Sequence, residues 1–183
     1  ARLRSPQRHL SQENTKNTAM PVRPILSFPD QRLRLTAAPV LRFDADLRAL
    51  ADDLLETMRA APGIGITAPH VGVSLRLVVL ELTPGDVRTY ANPVLDGVSR
   101  ETIRHVEGSV SMPGVTDELE RHAHVRVRYH DLDGVEHVEE ANGLLAVCHQ
   151  HEIDQLDGVF WIDRLSRLKR DRLIARYNKL RRV

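Results

Sequence analysis

Aromatic residues are scarce, at 4% of 183 residues. That leaves little for a stacking platform on single-stranded nucleic acid. Cysteine occurs once, as Cys148, which excludes an internal disulfide framework and a multi-cysteine zinc ribbon. A reducing, cytoplasmic setting is the expectation that goes with it. No apolar run approaches the ~20 residues of a membrane-crossing helix. Charge of one sign is not in excess overall, at +1, but it is unevenly spread. Residues 1–19 carry +3 and residues 164–183 carry +8, so the body between them is at −10. An acidic body with a basic end does not suit general binding to DNA, although the basic end can meet an anionic partner.

What the chain does contain is a run of alternating element signals. Residues 1–19 are polar and aperiodic and read as a disordered N-terminal extension or a remnant of expression, ahead of Met20. Residues 20–183 read as one domain. Leu47, Leu50, Ala51, Leu54, Leu55 and Met58 form one apolar stripe, which predicts a helix over 44–61 with Asp44 as N-cap and Pro62 as stop. Gly63-Ile64-Gly65 reads as a glycine-rich loop. Strands are predicted over 76–82, 123–130 and 135–140, the last two joined by an Asp133-Gly134 turn. Helices are predicted over 142–156 and, strongly basic, over 167–182. Strands grouped between helices give an α+β class.

Three segments carry chemistry. On a helix His151 and Gln155 share a face, which is half of the zinc-helix pattern H-E-x-x-H, with Glu152 between them. Upstream stand Gly63-Ile64-Gly65-Ile66-Thr67-Ala68-Pro69-His70 and Glu107-Gly108-Ser109-Val110-Ser111. In order and spacing these three resemble the signature motifs of the peptide deformylases, G-x-G-x-A-A-x-Q, E-G-C-x-S and Q-H-E-x-D-H. The resemblance spans about residues 24–170.

It implies an α+β fold with mixed or antiparallel sheets around a central helix carrying His151 and Glu152. It also implies hydrolysis of an N-terminal formyl group at a divalent metal, usually iron. At the family's metal-ligand positions this chain has Ser109, His151 and Gln155. Glu152 keeps the proton-transfer position, and His70 replaces the glutamine that binds the oxyanion. Val110 stands at the position of the backbone N–H donor. Gly65 and Ile64 fall in the substrate loop, and Arg121 at the edge of the substrate groove. A hydroxyl and a carboxamide are poor ligands for iron, zinc or nickel.

Three readings follow. In the first, the metal centre is lost or weakened and the pocket acts on an N-formyl, N-acyl or related carbonyl substrate. Glu152 and His70 then move protons, or Ser109 serves as nucleophile. A conventional metal-dependent deformylase of nascent N-terminal methionine is its alternative. In the second, His151 joins His70, Ser109, Gln155 or Glu152 in a rebuilt metal site. In the third, the pocket only binds a peptide end or small acyl compound between Ile64, Ile66, Val110 and Leu145. The resemblance also implies that the basic C-terminal helix can contact the ribosome. Cys148 and His149 read as packing residues rather than ligands.

Overall fold

The apolar stripe after Asp44 forms helix α1 (Ala45–Ala60) in the computed structural model, which describes residues 21–182. The extension expected over residues 1–19 lies outside the described residues. Asp44 caps the helix as predicted, its carboxylate accepting from the Leu47 N–H at 3.1 Å, which satisfies one of the orphan donors of the first turn. The stripe packs on Ile66, Leu77 and Val79.

These residues belong to a five-stranded sheet of β1 (Gly65–Thr67), β2 (Leu77–Glu81), β3 (Val87–Val98), β6 (His124–His130) and β7 (Glu136–Asn142), in the order β1-β2-β3-β6-β7. A two-stranded sheet pairs β4 (Thr102–Glu107) with β5 (Asp117–His122). Every pairing in both sheets is antiparallel, so the expected "mixed or antiparallel" choice resolves to antiparallel. The fold is α+β.

Helix α2 (Gly143–Leu156) sits between the sheets and is buried almost all round. Cys148 and Leu156 face Val78, Leu80 and Tyr90 of the large sheet, while Ala146 and Ile153 face Val125, Val127 and Ala141. A helix placed this way buries its polar side chains too, and each must find a partner or remain costly. His149 holds Glu139 through Nε2 at 3.1 Å, which confirms it as a satisfied core residue. Gln150 bonds the backbone of His122 in both directions at 3.0 Å. Asp154 takes Arg121 at 2.6 Å and a fork from Arg164. Gln155 donates to the Leu33 carbonyl at 2.7 Å.

Helix α3 (Arg167–Leu180) inserts Leu173 and Tyr177 into a cluster with Phe28, Met112 and Trp161. Its basic residues are partly engaged within the molecule. Lys169 pairs with Asp117 at 3.2 Å, Arg176 bonds the Thr116 carbonyl, and Arg181 bonds the Phe28 carbonyl. No described helix is long and apolar enough to cross a membrane.

Candidate active site

The three sequence segments converge on one cleft of about 660 Å³. The 61–65 turn forms one wall, β4 and the loop after it form the second, and α2 forms the floor. Gly65, Ile64, His70, Ser109, Val110, His151 and Glu152 all line it. Arg121 and Gln155 do not: both are buried beneath it. Of the apolar walls expected, Ile64 and Val110 are in place. Ile66 and Leu145 pack into the core instead, and Leu144 and Val147 supply the wall. The reason is helical phase: Leu144, Val147, Cys148, His151 and Glu152 follow i, i+3, i+4, i+7, i+8 and share one stripe, which Leu145 leaves.

Glu152 is the centre of the cleft. Its carboxyl is buried, and Oε2 has no hydrogen-bond partner among the described residues. Burial raises its pKa to about 7, the positive charge of His151 opposing and the negative charge of Glu107 adding. A carboxyl poised there takes or gives a proton near neutrality. Gly65 makes room for it. A β-carbon at Gly65 would lie 2.5 Å from Glu152 Oε1 and 2.9 Å from Leu80 Cδ2. Gly65→Ala is therefore expected to displace the carboxyl and reduce turnover roughly a hundredfold. The Tm should move by only a few degrees, because the flexible end of Glu152 yields; kinetics beside a thermal melt check both.

His151 is oriented from behind. Its Nδ1 meets Glu107 Oε2 at 2.7 Å. Glu107 in turn receives a two-pronged fork from Arg121, at 2.8 and 2.9 Å. Burial pushes Glu107 up, but the hydrogen bonds from Arg121 and His151 overcome it and hold the carboxyl at about 2. Burial alone would lower the His151 pKa; the bond to Glu107 and the nearby carboxylates raise it instead. Glu107 and Asp154 belong to the supporting machinery, although the motif comparison gave them no role. The signal was available: a buried arginine such as Arg121 requires carboxylates, and both stood inside the quoted motifs.

His70 differs from expectation. The Thr67 backbone N–H donates to its Nδ1 at 2.9 Å. A backbone N–H can only donate, so Nδ1 is an acceptor and the ring proton sits on Nε2. That Nε2–H is buried in the cleft wall with no partner among the described residues. Burial, reinforced by the charge of His151, lowers the pKa to about 3 and keeps the ring neutral. His70 thus presents a hydrogen-bond donor, in place of the proton acceptor or metal ligand expected of it. Ser109 also departs from its expected role. Its Oγ accepts from the Ser111 N–H at 3.1 Å, and no hydrogen bond joins it to His70 or His151 among the described residues, so the Ser–His nucleophile is not assembled. Cys148 is a buried thiol, pushed up to about 12 by burial and by Glu152 and Glu107.

The donors at the family's metal-ligand positions do not fit a tightly held metal. They comprise one imidazole, a hydroxyl and a carboxamide whose nitrogen is committed to Leu33. Among the described residues no three His, Cys, Asp or Glu side chains are grouped to hold an ion. A rebuilt site around His70 is not available either, because its lone pair is taken by Thr67.

Known proteins share both the sequence and the fold. A "Peptide deformylase-like" protein of Brucella melitensis is 66% identical over 164 residues, covering 89% of this chain and all of its own. A "Peptide deformylase" of Afipia carboxidovorans is 46% identical, covering 87% of this chain and 96% of its own. The crystal structure of a peptide deformylase from Legionella pneumophila superposes with a TM-score of 0.84 at 38% identity, over 88% of this chain and 96% of that one. The profile of the family described as Polypeptide deformylase matches residues 22–171. With the cleft, its glutamate and its three converging segments in place, the chain belongs to the polypeptide deformylase family of hydrolases.

Proposed function

We propose that this chain removes the formyl group from the amino terminus of a peptide in the cytoplasm. The observation that carries the proposal is the enclosed Glu152, with its pKa near 7, at the centre of a deformylase cleft. Membership of the family supports this reaction over an unrelated carbonyl substrate and over a purely binding role. In the reaction water attacks the formyl carbon, and Glu152 accepts the water's proton. The oxyanion is met by the His70 Nε2–H and the Val110 backbone N–H. The C–N bond then breaks, Glu152 returns the proton to the leaving amine, and formate departs. His151, whose pKa the bond to Glu107 raises, stands beside Glu152 on α2. Hydrolysis of a formyl-methionyl peptide, followed by formate release, tests the reading; no formate from any formyl peptide overturns it.

The donor set supports a second reading, that this chemistry runs without tightly held iron, zinc or nickel. Elemental analysis of protein purified anaerobically without a metal-affinity step is expected to give well under one metal per chain. The double variant Ser109→Cys with Gln155→His should bring this close to one, since it restores a thiolate and an imidazole. One metal per chain in the unaltered protein would instead support the conventional metal-dependent reading. A ribosome contact through α3 rests on the exposed residues Arg167, Arg172 and Arg182. Co-sedimentation with ribosomes at low and moderate salt tests it, and its absence in both sinks it.

A further inference from the structure

Buried polar atoms without partners are costly, so each one calls for an explanation. Three of those in this molecule belong to residues lining the cleft: His70 Nε2, Glu152 Oε2 and His105 Nδ1. The first two face the reacting carbonyl under the proposed reaction. His105 has no part in it.

Its position follows from the strand. On β4, His105 and Glu107 are two residues apart and share a face. Glu107 touches His151, and two residues of strand advance about 7 Å. His105 therefore stands one side chain's length from the reacting centre. Leu144 and Val147, on the α2 stripe that ends at Glu152, line the same cleft. Together with Ile64 they make an apolar wall in which the imidazole of His105 is the polar group left over. Glu107 cannot play that part, because both its oxygens are held by Arg121 and one also by His151. An apolar wall that carries an unsatisfied ring nitrogen favours an occupant that supplies the missing hydrogen bond.

We propose that His105 sets the substrate class of this cleft: an N-formyl peptide whose first side chain carries a hydrogen-bonding group, such as a hydroxyl, rather than a wholly apolar one. This rests on the deformylase reading above. A neutral imidazole donates or accepts at Nδ1 according to its tautomer, and a hydroxyl matches either state.

The test uses two N-formyl tripeptides that differ only in the first residue, homoserine or norvaline, which are alike in shape. The unaltered protein is expected to show a kcat/KM for homoserine at least equal to that for norvaline. His105→Ile should cut the homoserine-to-norvaline ratio about tenfold, and His105→Gln, which keeps a hydrogen-bonding group, should restore most of it. A preference for norvaline in the unaltered protein, or a ratio unchanged by His105→Ile, overturns the inference. If the isoleucine variant does not fold, equilibrium binding of both peptides to the unaltered protein decides, and tighter binding of norvaline overturns it. If neither peptide is hydrolysed but homoserine binds more tightly, the proposed reaction fails while the assignment of His105 survives.

Discussion

Glu152→Gln is expected to reduce formyl-peptide hydrolysis by roughly 10²–10⁴-fold, the range that a positioned general acid–base supplies. The amide keeps the shape of the side chain and loses the proton-accepting oxygen. Stability should move the other way. The folded carboxyl titrates near 7, against an ordinary value of 4.5, so the native state holds its proton over a range where the unfolded chain has released it. The unaltered protein must then lose stability as pH rises from about 4.5 to about 7, and the glutamine variant does not. Denaturation at pH 5 and pH 8 checks the sign, with the variant gaining relative to the unaltered protein at the higher pH. A variant that retained full turnover would remove Glu152 from the reaction.

Arg121→Leu should have the largest effect on the fold. The guanidinium joins Glu107 of the small sheet to Asp154 of α2. Removing it leaves two carboxylates in the interior, with Asp154 still held by Arg164 and Glu107 held only by His151. Breaking a buried charge network from one side costs about 3–5 kcal/mol. The pH dependence identifies the cause. Glu107 titrates at about 2 in the folded protein, below its ordinary 4.5. Its contribution is therefore complete above about 4.5 and disappears as pH falls toward 2. Without Arg121 that depression lapses, so the gap in stability between the two proteins should be wide at pH 7 and narrow at pH 3. An equal gap at both would point to lost packing instead of lost charge pairing.

Much of this site was legible because its backbone frame is built from local signals. Asp44, the stripe to Met58 and the Pro62 stop mark α1 closely, and the apolar content of residues 77–81 marks β2. Strand β3 was not found. Asn92 adopts φ 53°, and the register shifts between Ala91 and Val94 and again between Leu95 and Gly97, so no period of two survives along it. Strands β4 and β5 carry few apolar residues and no strict alternation, and they pair with each other in a two-stranded sheet, a pattern weak enough to pass for loop. Arg121 points inward there because its partners lie 14 and 33 residues away in sequence, a pairing that no local period reveals. His70 lines the cleft, but residue type does not show which ring nitrogen holds the proton, because its tautomer is set by the Thr67 N–H, a contact that depends on the backbone turn.

The amide of Gln150 joins both backbone groups of His122 and also donates to the Ala146 carbonyl. In effect a helix side chain supplies one rung of a ladder that would otherwise end where β5 turns into β6. The His122 amide proton is thus shielded by the arrival of α2 and not by a neighbouring strand. Its hydrogen exchange reports the docking of the helix, so that a single backbone site registers whether the element carrying His151 and Glu152 is seated against the two sheets.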